Sequence, residues 1–198
     1  MARKSAVERR RELIEAGLTV IAREGMHGAT VRAIVAEADV PLATFHYVFA
    51  SRDEMIGEAY AYIALRPDED ATDAVPEGAT LEQAVEAIIT LWFERFTEHP
   101  EFELAIMEIM AYCNRTPALA HLPAQVQERY LEAIVGTVEA VRAAFGVSSD
   151  MSAKDVAGLV VHLTDGLTYG WLRTRDTAAS RSVIRAAVPV IADALGRA

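Results

Sequence analysis

Apolar residues recur along the chain at spacings of three and four rather than two, and that rhythm predicts helices almost throughout. Ile14, Leu18, Ile21 and Ala22 form the first stripe, which Gly25 ends, so a first helix is expected over about 5–24 with a turn at Gly25 and Gly28. Thr30 stands at an N-cap position ahead of Val31, Ile34, Val35 and Ala38, whose i, i+3, i+4, i+7 order predicts a short second helix. Asp39-Val40-Pro41 breaks it, and Pro41 suits the first position of a short third helix, Leu42 to Val48, with Phe45 and Phe49 facing inward. Ser51 is placed to cap a fourth helix, with Asp53 and Glu54 complementing its dipole, running through Met55, Ile56, Ala59 and Ile63 to about Arg66-Pro67.

The stretch from Pro67 to Thr80 holds five acids, two prolines and a glycine, with Val75 its only large apolar residue, and reads as a solvated linker. Five longer helices follow, at about 80–98, 101–113, 118–145, 152–174 and 178–195, punctuated by Pro100, Pro117, Gly146 and Asp176. Pro189 lies inside the last and is expected to kink it by removing a backbone hydrogen bond. No alternating strand, internal repeat or low-complexity tract interrupts the pattern, so the class is all-α. The expected organisation is an N-terminal three-helix domain over 1–50, a connecting helix over 51–66, an acidic linker over 67–79 and a helical bundle over 80–198, about nine helices in all.

At 198 residues, 52% hydrophobic and 24% charged, the chain has the composition of a globular protein with a substantial core. No apolar run is long enough to span a membrane and the N-terminus lacks a signal-peptide core, so no membrane partner and a cytoplasmic location are expected. The single cysteine, Cys113, forms no intramolecular disulfide, and no ligand spacing calls for a metal or a cofactor. A net charge of −10 argues against a polyanionic partner until it is divided along the chain. Residues 1–52 hold eight basic residues (Arg3, Lys4, Arg9, Arg10, Arg11, Arg23, Arg32 and Arg52) against six acids, or +2, leaving −12 for the rest. A basic end on an acidic body suits contact with nucleic acid at that end alone.

The segment from Gly28 to Met55 carries the most specific signal. Its marks are Thr30 with Arg32 and Ile34, the Ala38-Asp39-Val40 turn, the aromatic cluster Phe45, His46, Tyr47 and Phe49, and Ser51-Arg52-Asp53-Glu54-Met55 opening the next helix. This segment resembles the DNA-binding signature of the TetR family of transcriptional regulators. Asp165-Gly166-Leu167 with Trp171-Leu172 is similar to that family's penultimate, dimerising helix. The resemblance implies a helix-turn-helix domain followed by an effector-binding and dimerisation bundle. It also implies homodimerisation through the last two helices, and release from a double-stranded DNA operator when a small molecule binds.

Carried onto this chain, the resemblance places His46 and Tyr47 against phosphate or base edges, Thr30 against phosphate, and Arg52 as a cationic phosphate anchor. His46 stands where the family usually has tyrosine, which would strengthen that contact in mild acid. Arg52 stands where it usually has lysine. The third helix has no Arg, Asn or Gln, the usual bidentate partners of guanine and adenine, so direct readout falls to Thr44 and Arg32. Leu42 and Ala43 are expected to meet thymine methyls, with DNA shape supplying the remaining specificity. The arm Arg3-Lys4 either reaches the minor groove or is unstructured.

In the bundle, Trp92, Phe96, Met107, Met110, Tyr130 and Tyr169, with polar Tyr112, Cys113, His162 and Asp165 among them, are the candidate effector residues for a mostly apolar ligand. Each apolar one, taken singly, reads more readily as plain core. Val156, Val160, Leu163, Leu167 and Gly170, and then Ile184, Val188, Ile191 and Leu195, form near-heptad seams that fit either a four-helix dimer interface or burial within one chain. His162 and Asp165, at i and i+3, offer a competing enzyme reading, but no nucleophile motif or metal spacing accompanies them. A third reading is a ligand-independent DNA-binding protein whose bundle only dimerises.

Overall fold

The structure, a computed structural model, describes residues 5–64 and 71–197. Among the described residues there are nine α-helices and no strand: α1 (Ala6–Gly28), α2 (Val31–Glu37), α3 (Leu42–Val48), α4 (Arg52–Ala64), α5 (Leu81–Glu98), α6 (Pro100–Arg115), α7 (Leu122–Phe145), α8 (Ala153–Thr174) and α9 (Thr177–Leu195). The arm Arg3-Lys4 and the expected end of α4 at Arg66-Pro67 lie outside the described residues. Most helix starts are set locally by short side chains that accept from the first free N–H groups. Ser5 and Glu8 form a capping box on α1, and Thr80 and Gln83 form another on α5. Thr30, Ser51, Ser152 and Asp176 receive the amides of Ala33, Glu54, Asp155 and Ala179 at 2.9–3.1 Å. Between α2 and α3 the chain turns through Asp39, whose φ of 49° lies in the left-handed region that a short acidic side chain tolerates.

Two compact units result, and the division is discontinuous in sequence. Residues 1–66 and 101–127 make one, and residues 67–100 and 128–198 the other. In the N-terminal unit, Leu13, Val20, Ile21, Ile34, Phe45, Phe49, Met55 and Ile56 are almost wholly buried, and α6 adds Ala105, Ile109 and Cys113 to the same core. In the second unit, the core joins Val85, Ile89, Phe93 and Phe96 of α5 to Val138 and Val141 of α7, Val156, Leu167 and Trp171 of α8, and Ile184, Val188, Ile191 and Leu195 of α9. Part of the acidic stretch is ordered against this core: Ala71–Ala74 forms a 3-10 turn packed on α5, with Val75 half-buried behind it.

The α9 seam residues and Val156 and Leu167 of α8 are therefore buried inside the unit itself. A period near 3.5 identifies one buried stripe per helix but not which neighbour buries it. The outward faces of α8 and α9 carry a different set: Leu159, Tyr169, Val183 and Val190 are exposed, and Gly166 and Gly170 have open space around them. Pro189 sits exposed within α9, which continues to Leu195.

The C-terminal end of α9 is tied down by Arg142 and by a short backbone bridge. Arg142 donates to the carbonyls of Leu195 (2.9 Å), Ala194 (3.2 Å) and Met151 (2.9 Å), and Ser148 and Arg197 exchange two backbone hydrogen bonds. Gly196, at φ 129° and ψ −175°, makes the connection, and a Cβ there would collide with the Ser148 carbonyl. Gly196→Ala is therefore expected to cost about 1–3 kcal/mol. A thermal melt unchanged from that of the original chain would contradict this reading of the bridge.

Candidate nucleic-acid interface

Seven residues of α3 are divided sharply by burial. Phe45 and Val48 point into the core, Phe45 packing on Phe49 with ring centroids 5.4 Å apart, while Leu42, Ala43, His46 and Tyr47 are exposed and Thr44 is half-buried. Tyr47 is 72% exposed, so this side chain has no packing role to explain it. A helix anchored by Phe45 and presenting two aromatic hydrogen-bonding groups outward has the shape of a groove reader. Beside it, Thr30 is exposed, and its hydroxyl is engaged as the cap of α2.

The basic character of the N-terminal segment is largely neutralised within the fold. Arg9 pairs with Glu12 (2.5 Å), Arg11 with Glu15 (2.9 Å), and Arg23 with Glu24 (2.9 Å) and Glu37 (2.8 Å). Arg10 reaches Glu54 (2.6 Å) and Glu58, donates to the Val48 carbonyl and lies over the Phe49 ring (4.4 Å). These partners hold its guanidinium even further above its ordinary pKa, Glu58 contributing most, and Arg10 in turn holds the Glu54 carboxyl below its own. Arg32 is different: it is exposed on α2, with no partner among the described residues. Counting charges in the sequence overstates the field this surface offers to phosphate, and among the described residues of the segment Arg32 is the exposed cation left without an acidic partner.

Arg52 is engaged inside the fold rather than presented outward. Its Nε donates to the Ala29 carbonyl (2.5 Å), one terminal nitrogen to the Met26 carbonyl (2.6 Å) and the other reaches the Tyr112 hydroxyl at 3.5 Å. The Tyr112 ring lies 5.3 Å from the guanidinium carbon, and its hydroxyl donates to Asp53 (2.6 Å), which with burial raises the phenol's pKa. Glu108 of α6 accepts from the Met26 N–H (2.5 Å). An open groove of about 510 Å³ runs past Met26, His27, Thr30, Val31, Arg52 and Tyr112. Sequence reasoning missed Glu108 and the tie between Tyr112 and Asp53, because residues 82 and 59 positions apart leave no local pattern.

The candidate effector residues fall in both units. Met107, Met110, Tyr112 and Cys113 belong to the N-terminal one, where Cys113 is fully buried and burial pushes its thiol pKa up. Trp92, Phe96, Tyr130, His162, Asp165 and Tyr169 belong to the other. There the aromatics pack on one another: Trp92 stacks on Phe96 (5.8 Å), Phe96 meets Trp171 edge-on (5.2 Å), and the Trp171 N–H donates to Thr177 (3.0 Å). His162 and Tyr169 are exposed, and His162 Nδ1 donates to the Gly158 carbonyl of its own helix (2.6 Å). Asp165 is exposed, yet partial desolvation of its carboxyl raises its pKa against the opposing pull of His162. No group of three or more potential metal ligands gathers among the described residues, and no helix among them is long and apolar enough to cross a membrane.

Comparison with known proteins bears on the same residues. Residues 13–59, the span from the middle of α1 into α4, match the family model for bacterial regulatory proteins of the tetR family. Over 164 residues, covering 83% of this chain and 84% of the relative, the chain is 27% identical to the nicotine-responsive transcriptional repressor HdnoR of Paenarthrobacter nicotinovorans. The fold is shared with a transcriptional regulator of a Rhodococcus species (TM-score 0.68, 20% identity, 93% of this chain and 96% of that one). It is shared equally with the regulator FadR of Bacillus subtilis, solved in complex with stearoyl-CoA (TM-score 0.64, 15% identity, 94% and 97%). These relatives are regulators and not enzymes, so the enzyme reading of His162 and Asp165 lapses. The turn, core and outward face of the helix-turn-helix all lie within the matched span, so this all-α chain carries a tetR-type DNA-binding segment at residues 13–59 and is similar over most of its length to a transcriptional repressor.

Proposed function

We propose that the chain acts in the cytoplasm as a homodimeric repressor that sits on a palindromic operator and is released by a small, mostly apolar effector. The observation that carries this reading is the outward face of α3, where Leu42, Ala43, His46 and Tyr47 are exposed on a helix locked from behind by Phe45. In the major groove, Thr44 and Arg32 read base edges, Leu42 and Ala43 meet thymine methyls, and Thr30, His46 and Tyr47 hold phosphates. Arg52 takes a supporting role, since reaching phosphate would mean leaving the Ala29 and Met26 carbonyls. Division of labour follows the units, with DNA read by the N-terminal helices and dimerisation served by the other unit.

Dimerisation is assigned to the outward faces of α8 and α9. Leu159, Tyr169, Val183 and Val190 offer apolar surface there, and Gly166 and Gly170 let a second pair of helices approach closely. For the effector, HdnoR responds to nicotine and FadR was solved with stearoyl-CoA, so the fold accommodates very different ligands. Trp92, Phe96 and Tyr130, with polar His162 and Asp165, remain the residues proposed to meet it, together with Met107, Met110, Tyr112, Cys113 and Tyr169. Release requires only that the effector bind the two states unequally, and a coupling of about 1–3 kcal/mol changes operator affinity roughly five- to 150-fold.

Selection of bound duplexes from a random DNA pool, at fixed salt, tests the proposal. The expected product is a palindrome whose half-sites lie about one helical turn apart. Thr44→Ala and Arg32→Ala should each change the bases preferred, and Arg32→Ala, which also removes a cation, should in addition weaken binding by about tenfold. A pool in which nothing enriches, or in which a single unrepeated half-site suffices, overturns the dimeric repressor.

A further inference from the structure

Gly25 interrupts α1 at φ 74° and ψ 174°, a conformation that glycine alone adopts without strain. The chain is helical on both sides of it. In an unbroken helix the Met26 N–H would donate to the Ala22 carbonyl. Here the peptide is turned away and the Glu108 carboxylate of α6 takes that donor at 2.5 Å. Gly25 itself lies against the same carboxylate, since a Cβ at this position would stand 3.0 Å from its Oε2. The carbonyl of Met26 is held in turn by Arg52, which also holds Ala29, the residue before the Thr30 cap of α2. An acceptor supplied by a side chain replaces the Ala22 carbonyl that the break gives up, so Glu108 can keep open a break that the helix would otherwise close.

We infer that Gly25 and Glu108 form a latch that sets where α2 begins, which makes Glu108 a positioning residue for DNA recognition. Closed, the latch fixes Met26, and through Arg52 it fixes the turn that delivers Thr30 and Arg32. Released, residue 25 becomes helical, α1 straightens by one turn, and α2 and α3 rotate away from their present register. Glu108 acts only through Met26 and touches no DNA. The inference rests on the proposed reading of α2 and α3 as the DNA-contacting helices.

The test uses the full chain with Glu108→Ala, Glu108→Gln, Gly25→Ala and the double variant Gly25→Ala/Glu108→Ala. Amide exchange at Met26 is followed by NMR, and affinity for the selected duplex is measured at fixed salt. Glu108→Ala should speed Met26 exchange at least about tenfold and weaken DNA binding about tenfold, while Glu108→Gln, whose amide oxygen still accepts, stays within about threefold of the original chain. Gly25→Ala should weaken binding by a similar factor and lower the melting temperature, because alanine is strained at this positive φ and escapes the strain only by straightening α1. Since both changes act on one element, the double variant should bind no worse than either single variant. Met26 exchange unchanged in Glu108→Ala overturns the latch, as does Glu108→Gln behaving like Glu108→Ala, which would mean the charge matters and not the acceptor. If the original chain selects no duplex, the DNA reading fails, and Met26 exchange alone still decides whether the latch exists.

Discussion

Phe45→Ala is expected to remove about 3–5 kcal/mol from the N-terminal unit, and at about 2–4 °C per kcal/mol to lower its melting temperature by about 6–20 °C. The phenylalanine is wholly buried, packs on Phe49, and sits at the centre of the cluster joining α1, α2, α3 and α4. Alanine would leave a cavity beside Phe49 that short helices cannot readily collapse to fill. Two residues along the same helix, Tyr47→Ala should stay within about 0.5 kcal/mol of the original stability, because its ring is solvated. Circular dichroism melts of both variants check this. If Phe45→Ala melts within about 2 °C of the original chain, or Tyr47→Ala falls as far as Phe45→Ala, the assigned faces of α3 are reversed.

Arg10→Ala carries the next largest effect, about 1–3 kcal/mol. Its guanidinium joins three elements: α1, on which it lies, the end of α3 through the Val48 carbonyl, and α4 through Glu54 and Glu58. Removing it leaves those two glutamates, four residues apart, facing each other without a cation. The effect should depend on pH. Arg10 foremost, and then the Ala50 N–H, lower the folded pKa of Glu54 from its ordinary 4.5. A depressed carboxylate contributes stability that is present above the unfolded value and is lost as pH falls through the folded one. Stability of the original chain should therefore decline below about pH 4.5, and in Arg10→Ala that decline should be shallower. Denaturant midpoints measured between neutral pH and about pH 3 give both slopes, and parallel curves would show that Glu54 gains nothing from Arg10.

What could be read in the sequence was what neighbouring residues decide. Thr30, Ser51, Ser152 and Asp176 each announce a helix start through a hydrogen bond three residues long, and Gly25 announces its break. The inward and outward faces of α3 follow from Phe45 alone once the period is known. Partners chosen across long separations were not legible. The Ala105, Ile109 and Cys113 stripe makes α6 amphipathic, yet nothing in it says that the buried face meets α1 and α4 rather than the bundle. The same gap explains why Tyr112 and Cys113, grouped with the effector residues by composition, lie in the N-terminal unit, and why Arg52 is tied to backbone carbonyls. Charge misled for a related reason: eight cations can be counted and the pairs with Glu12 and Glu15 are local, but pairing with Glu37 and Glu54 requires the fold.

The discontinuous N-terminal unit limits how this chain can be recombined. A reading head exchanged between relatives is most simply cut after α4, as though the first 66 residues were a cassette. Here that cut would strip Ala105, Ile109 and Cys113 from the apolar side of α1 and α4, and remove the carboxylate that holds Met26. A graft that keeps its shape must carry residues 101–127 as well, with three splice points in place of one. New operator preferences are then easier to reach by rewriting the exposed positions of α3 than by transplanting the head that presents them.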